Sequence, residues 1–146
     1  MVVNSLDRIV TGYFPEIQAR LTVANVTDTA RTLERNHLCG PTAGLIQAEM
    51  VGGATLLGTL LERESQAISL RMLFPEGALG GATIECTAGF TIRGYTRQKV
   101  LGDLDDSNCS DEELFTRALG PAAQCGVVIT EGTSASNTLF NVVVEK

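Results

Sequence analysis

Residues 41–64, PTAGLIQAEMVGGATLLGTLLERE, constrain the fold more than any other part of the chain. Ala43, Leu45, Ile46, Ala48, Met50, Val51, Ala54, Leu57, Leu60 and Leu61 cover most of a helix circumference. A helix that is apolar nearly all round has no face to offer to water and must be buried. Pro41 suits its first turn, because the N–H that proline lacks would have no partner there. The segment is also about as long as a membrane span. Gln47 and Glu49 lie inside it, and Glu62, Arg63 and Glu64 end it, so no membrane role is expected. Gly44, Ala48, Gly52 and Gly53 predict a smooth side for close backbone approach, at about 1 kcal/mol per interior glycine relative to alanine. A sheet, a second helix or a second subunit would each satisfy that side.

A buried helix needs something to cover it. A chain of 146 residues is the length of one ordinary domain, and folding one buries roughly 70% of the surface that its unfolded chain exposes. Trp is absent and aromatics are 5%, so the core must rest on Leu, Ile, Val and Ala. The net charge of −6, with no Lys/Arg cluster, argues against nucleic acid as a partner. The N-terminus has no basic start and no long apolar run, and carries Asp7, so it does not read as a signal peptide and a cytoplasmic protein is expected.

The rest of the pattern supplies the cover. RIVTGYF (Arg8–Phe14) and QARLTVAN (Gln18–Asn25) read as strands with a turn at Pro15. VTDTARTLERNHL predicts a short helix to about His37, with Thr27 or Asp28 as its N-cap. QAISLRML (Gln66–Leu73) alternates as a half-buried strand. Ser110 and Glu113 form a capping box for a helix DEELFTRAL, which Gly120-Pro121 ends. CGVVITEG and TLFNVVVEK predict two more strands, joined by a polar loop TSASN. The fold class expected is α+β: one domain over residues 1–146, with a mixed or antiparallel sheet packed on the long buried helix.

PEGALGGATIECTAGFTIRGYT carries three glycines, Gly77, Gly80 and Gly81, ahead of two alternating runs. Their order is not G-x-G-x-x-G, and a strand rather than a helix follows, so a phosphate loop is not supported. They predict a tight turn and a close crossing. The runs predict a hairpin. With Thr87, Ala88 and Gly89 as the turn and Gly89 left-handed, Cys86 faces Phe90, Ile84 faces Ile92 and Ala82 faces Gly94 on a dry side. Thr83 then opposes Arg93 and Glu85 opposes Thr91 on a wet side, with Glu85 and Arg93 diagonal.

Little here suggests catalysis. The four cysteines, Cys39, Cys86, Cys109 and Cys125, have no C-x-x-C spacing and there is one histidine, which argues against zinc and for free thiols. His37 sits at a helix C-terminus, where a cation favours the helix dipole, and is poorly placed to activate Cys39. Acidic neighbours should raise the Cys109 thiol and make it less nucleophilic. Cys86 and Cys125 read as small core residues. DLDDSN (residues 103–108) begins like a calcium loop but lacks Gly at its sixth place and has Leu114 at its twelfth, so it reads as a solvated acidic loop. No catalytic, cofactor-binding or metal-binding residue is assigned, and no enzyme is expected.

The motifs together resemble those of the heat-shock protein 33 family, redox-regulated holdase chaperones. DTARTLERNHLCGPTAGLIQAEMVGGATLLGTLLERE is similar to that family's helical pair, with Gly40 where the family has a capping Ser. Pro41, Thr42 and Ala43 and the Leu56–Leu60 end match the second helix. Gly77, Leu79, Gly80, Gly81, Arg93, Gly94 and Tyr95 match the G-x-L-G-G turn and R-G-Y end of the strands that follow, and Phe90 stands where a turn Gly is expected. QARLTVANVTDT and, more loosely, CGVVITEG and TLFNVVV resemble further strands. The resemblance runs from about Gln18 to the end and covers only part of the family's protein. It lacks the C-terminal zinc module, and none of the four cysteines matches that module's thiolates, so the redox switch is not carried over.

The resemblance implies the fold, and the function expected from it is holdase-type binding of unfolded polypeptides in a stress response, without zinc, other cofactors or a thiol switch. The alternative is a self-associating structural module without chaperone activity. A homodimer formed by strand-edge pairing or element swapping is expected, with no nucleic-acid or membrane partner.

Overall fold

The computed structural model describes residues 6–132 and, as backbone, residues 134–145. Two strands, β1 (Arg8–Phe14) and β2 (Ala19–Asn25), form an antiparallel hairpin of their own around a 3-10 turn at Pro15–Ile17. Two helices follow, α1 (Thr27–His37) and α2 (Pro41–Gly58). Next come β3 (Gln66–Leu73), β4 (Gly81–Thr87), β5 (Ile92–Thr96), α3 (Asp111–Leu119), β6 (Ala122–Glu131) and β7 (Ser134–Glu145). β3 to β7 make one antiparallel sheet in the order β5-β4-β3-β6-β7. The class is α+β, as the alternation and the long helix predict.

α2 lies against β3 and β4 with α1 beside it. Met50, Val51 and Ala54 of α2, Leu33 of α1, Ile68 and Leu70 of β3, and Ile84 and Cys86 of β4 form the main core. Each of the Leu, Ile, Val and Met side chains among them contributes about 1.5–3 kcal/mol on burial. A second cluster joins Ala43 and Ile46 to Phe74, Leu79, Leu101, Leu104 and Ala118. The helix is therefore buried on most sides, and the open stripe carries Leu45, Glu49 and Leu56. The smooth side differs from expectation. Gly44 does approach α1, where an added Cβ would lie 3.1 Å from the Glu34 side chain, but nothing lies within 4 Å of one at Gly52. The tightest approach is at Gly58, which a Cβ would bring to 2.7 Å from Cys86 Sγ on β4.

Both helix starts are capped from a distance. Neither Thr27 nor Asp28 caps α1, contrary to the local reading; the N-cap residue is Val26. The Asp7 carboxylate, just ahead of β1, accepts from Asp28 N at 2.9 Å and Thr29 N at 2.7 Å. At α2 the N-cap is Gly40, which has no side chain to offer. The Asp105 carboxylate fills that place, accepting from Thr42 N at 3.0 Å and Leu101 N at 2.7 Å. A Cβ on residue 40 would run into that carboxylate, so Gly40 makes room for the cap it cannot provide.

Burial by itself would raise both acids, but hydrogen bonds from Thr29 and the Asp28 and Thr29 amides hold Asp7 below the usual 3.8. Those from the Leu101 and Thr42 amides and the Thr42 hydroxyl do the same for Asp105. A folded pKa below the unfolded one means stability that is present above about pH 4 and lost as pH falls through the folded value. Asp105→Ala should accordingly lower stability by about 1 kcal/mol at pH 7. Urea titrations should show the gap to the unaltered protein closing below pH 3.8.

The β4–β5 hairpin keeps its two faces but not its register. Cys86 pairs with Ile92, Ile84 with Gly94 and Ala82 with Thr96. The shift is two residues, so the residues that remain paired keep their expected faces, while Phe90 and Thr91 leave the strand for the turn. Glu85 and Arg93 become direct partners rather than diagonal ones, joined at 2.5 Å. The reason is the turn: Phe90, not Gly89, is left-handed, at φ 58°. Thr87 and Thr91 close the loop, Thr87 N donating to Thr91 O and Thr91 N to Thr87 Oγ1, both at 3.1 Å. A bulky residue in this region costs roughly 1–2 kcal/mol. Phe90→Gly should therefore be more stable than Phe90→Ala by about 1 kcal/mol in thermal melts, the reverse of the order on a helix surface.

The front glycines bend the chain, with Gly80 at φ 70° and Gly81 at φ 150°. Behind them Ala78 N and Leu79 N donate to the Arg117 and Ala118 carbonyls at 3.1 and 3.0 Å, so the turn satisfies the C-terminus of α3. At the start of that helix Ser110 Oγ accepts from Glu113 N at 3.3 Å, as the capping box predicts. The polar loop expected between the last strands is absorbed into β7, which begins at Ser134 and pairs with β6 through two register shifts; Thr133 lies outside the described residues.

Candidate functional site

The hairpin of β1 and β2 has one face that nothing in the described chain covers. Register puts Val10 opposite Val23, Gly12 opposite Leu21 and Phe14 opposite Ala19 on that face. Val10, Val23, Leu21 and Phe14 are 60%, 59%, 56% and 47% exposed. Four large apolar side chains on adjacent cross-strand pairs make a continuous patch rather than scattered exposure. The Phe14 ring lies along the strand over Gly12, where a Cβ would meet its Cε2 at 3.8 Å. Ile17, at the turn, extends the exposed surface.

The opposite face carries Ile9 with Ala24, Thr11 with Thr22 and Tyr13 with Arg20. The two threonine hydroxyls are bonded at 3.1 Å. Arg20 Nη2 donates to Thr59 O at 3.1 Å and Thr59 Oγ1 at 3.0 Å, tying the hairpin to the end of α2. The Asp7 cap ties its other end to α1. β1 and β2 pair only with each other among the described residues, so each presents an outer edge with unpaired backbone groups.

The residues weighed for chemistry lie outside this face. His37 closes α1. The Cys39 thiol donates to Gln47 Oε1 at 3.7 Å, not to His37. Cys109 lies 2.9 Å from Ser107 Oγ. Burial pushes the Cys86 thiol up to about 11 and raises Cys125 as well, which makes both poor nucleophiles at neutral pH. In the acidic loop Asp105 is spent on the cap of α2. Among the described residues no group of three His, Cys, Asp or Glu side chains is placed to hold a metal, and no helix is long and apolar enough to cross a membrane.

Sequence reasoning did not pick out the hairpin face. Its signal was present in the alternation of Val10, Phe14, Leu21 and Val23, but alternation does not say whether a face finds a cover.

Comparison with known proteins agrees with this architecture. Residues 7–143 match the family described as Hsp33 protein. The 33 kDa chaperonin of Thermus thermophilus is 32% identical over 93 residues, 63% of this chain and 27% of that protein. That of Clostridium novyi is 24% identical over 106 residues, 68% of this chain and 36% of that protein. The chain thus spans about a third of the length of these relatives. The crystal structure of the 33 kDa chaperonin (heat shock protein 33 homolog) of Thermotoga maritima superposes with a TM-score of 0.75 at 18% identity, over 94% of this chain and 44% of that one. The fold is shared, and with the match over residues 7–143 the chain belongs to the Hsp33 family.

Proposed function

We propose that this chain is one chaperone-core-like domain that binds unfolded polypeptides, as a cytoplasmic holdase without a zinc or thiol redox switch and without catalysis. The observation that carries the reading is the uncovered face of Val10, Phe14, Leu21 and Val23 between two unpaired strand edges. An extended segment can add to an edge through its main chain, whatever its sequence, and lay apolar side chains on the face. The family's chaperonin-named members support the same reading.

Size favours a transient client over a permanent subunit contact. Two seven-residue strands offer a face roughly 24 Å long and 10 Å wide, well below the ~800 Å² per partner of a stable interface. Binding on this face is weak and reversible, which suits a holdase. Self-association is the second reading, supported by the same free edges pairing between two copies; no nucleic acid or membrane takes part in either. Light scattering from a thermally unfolding client tests the proposal. Several-fold molar excess of the protein should slow aggregation equally with and without peroxide. No effect on aggregation would refute holdase binding, and activity only after oxidation would refute its independence of a thiol switch.

A further inference from the structure

A second apolar cleft, of about 280 Å³, opens between α2, β3 and α3, away from the hairpin. Met50 of α2 and Met72 of β3 both line it. The chain has three methionines and the third is Met1, so both internal ones converge here. Phe115 and Leu119, one turn apart on α3, form the facing wall. Gly53 leaves the α2 wall without a side chain; a Cβ there would sit 3.6 Å from Leu70 Cδ2, in ordinary contact with the lining. Thioether side chains are polarisable and flexible and fit apolar groups of varied shape. The volume suits one or two large side chains rather than the surface of a folded partner.

The charges in the lining and on the α3 stripe that carries Phe115 are acidic. Glu49 is the charged residue in the lining, and it is exposed at the rim. Asp111 and Glu112 are exposed one turn before Phe115, on the same stripe of α3. The net charge of −6 adds to their field. We propose that this cleft docks a basic amphipathic polypeptide segment, whose large apolar side chain enters between Met50, Met72 and Phe115 while flanking Lys or Arg residues meet Glu49, Asp111 and Glu112. This binding is separate from the hairpin reading and does not require suppression of aggregation.

Fluorescence anisotropy of the whole chain with a labelled peptide, one Leu-Trp anchor flanked by lysines, tests it. The peptide should bind at least tenfold more tightly than the same peptide with glutamates for lysines, and more weakly as salt rises. Gly53→Leu should plug the cleft and weaken binding at least tenfold, while raising helix propensity. Glu49→Lys, at an exposed position, should weaken the basic peptide several-fold and improve the acidic one. Measured in a Val10→Thr, Val23→Thr background, which weakens the hairpin face, the charge preference and the Gly53→Leu effect should both persist. Equal affinity for basic and acidic peptides, full affinity in Gly53→Leu, or loss of the charge preference in the hairpin-variant background would each overturn the assignment. Should Gly53→Leu fail to fold, an unchanged charge preference in Glu49→Lys overturns it.

Discussion

Gly77→Ala should cost roughly 3 kcal/mol or more, whereas the same substitution at Gly52 should stabilise the protein by about 1 kcal/mol. A Cβ at residue 77 runs into the Ala118 and Leu119 carbonyls, all backbone atoms that no rotamer change can move aside. Relief requires the loop to leave α3, which lengthens the bonds from Ala78 N and Leu79 N to that helix, worth about 1 kcal/mol each. It also draws the fully buried Leu79 from its core cluster. Against a typical total stability of 5–15 kcal/mol this is a large fraction, and the melting temperature should fall by roughly 6–12 °C. At Gly52 nothing lies within 4 Å, so alanine adds helix propensity without collision. Paired thermal melts check both signs, and a mild effect at Gly77 would show that the loop does not cross α3 closely.

The largest functional effect is expected from the hairpin face. Val10→Thr, Leu21→Thr and Val23→Thr together keep strand propensity, because threonine is suited to a pleated, half-exposed surface. These positions are more than half exposed, so little burial is lost and thermal stability should change by less than about 1 kcal/mol. What changes is the surface offered to a client: three of its four large apolar side chains gain a hydroxyl or lose bulk. Aggregation suppression should fall at least fivefold, measured as the molar excess needed for half protection. Unchanged circular dichroism and melting temperature would locate the loss in the surface and not in the fold.

Much of this architecture is legible in the sequence because local rules decide it. The apolar circumference of residues 41–64 identifies a buried helix whatever covers it, although the helix itself ends at Gly58, and β1 and β3 match the expected bounds because their alternation is uninterrupted. The sidedness of the β4–β5 hairpin follows from its period of two. Its register does not, since that depended on Phe90 taking the left-handed place that composition would give to Gly89. The caps of α1 and α2 were hidden for another reason. Asp7 and Asp105 act across 21 and 63 residues, and no spacing rule reaches that far. The uncovered face and the methionine cleft belong to the same class: Val10 reads as ordinary strand content and Met50 as part of a buried helix until the topology shows which surfaces they line.

The most direct test compares the unaltered chain with the triple threonine variant at equal molar excess, by light scattering from one thermally unfolding client. The account predicts that the unaltered chain holds scattering low and the variant does not, although both are folded at the assay temperature. Equal protection by the two proteins, or none by either, would contradict the claim that the outward face of the β1–β2 hairpin binds unfolded polypeptide.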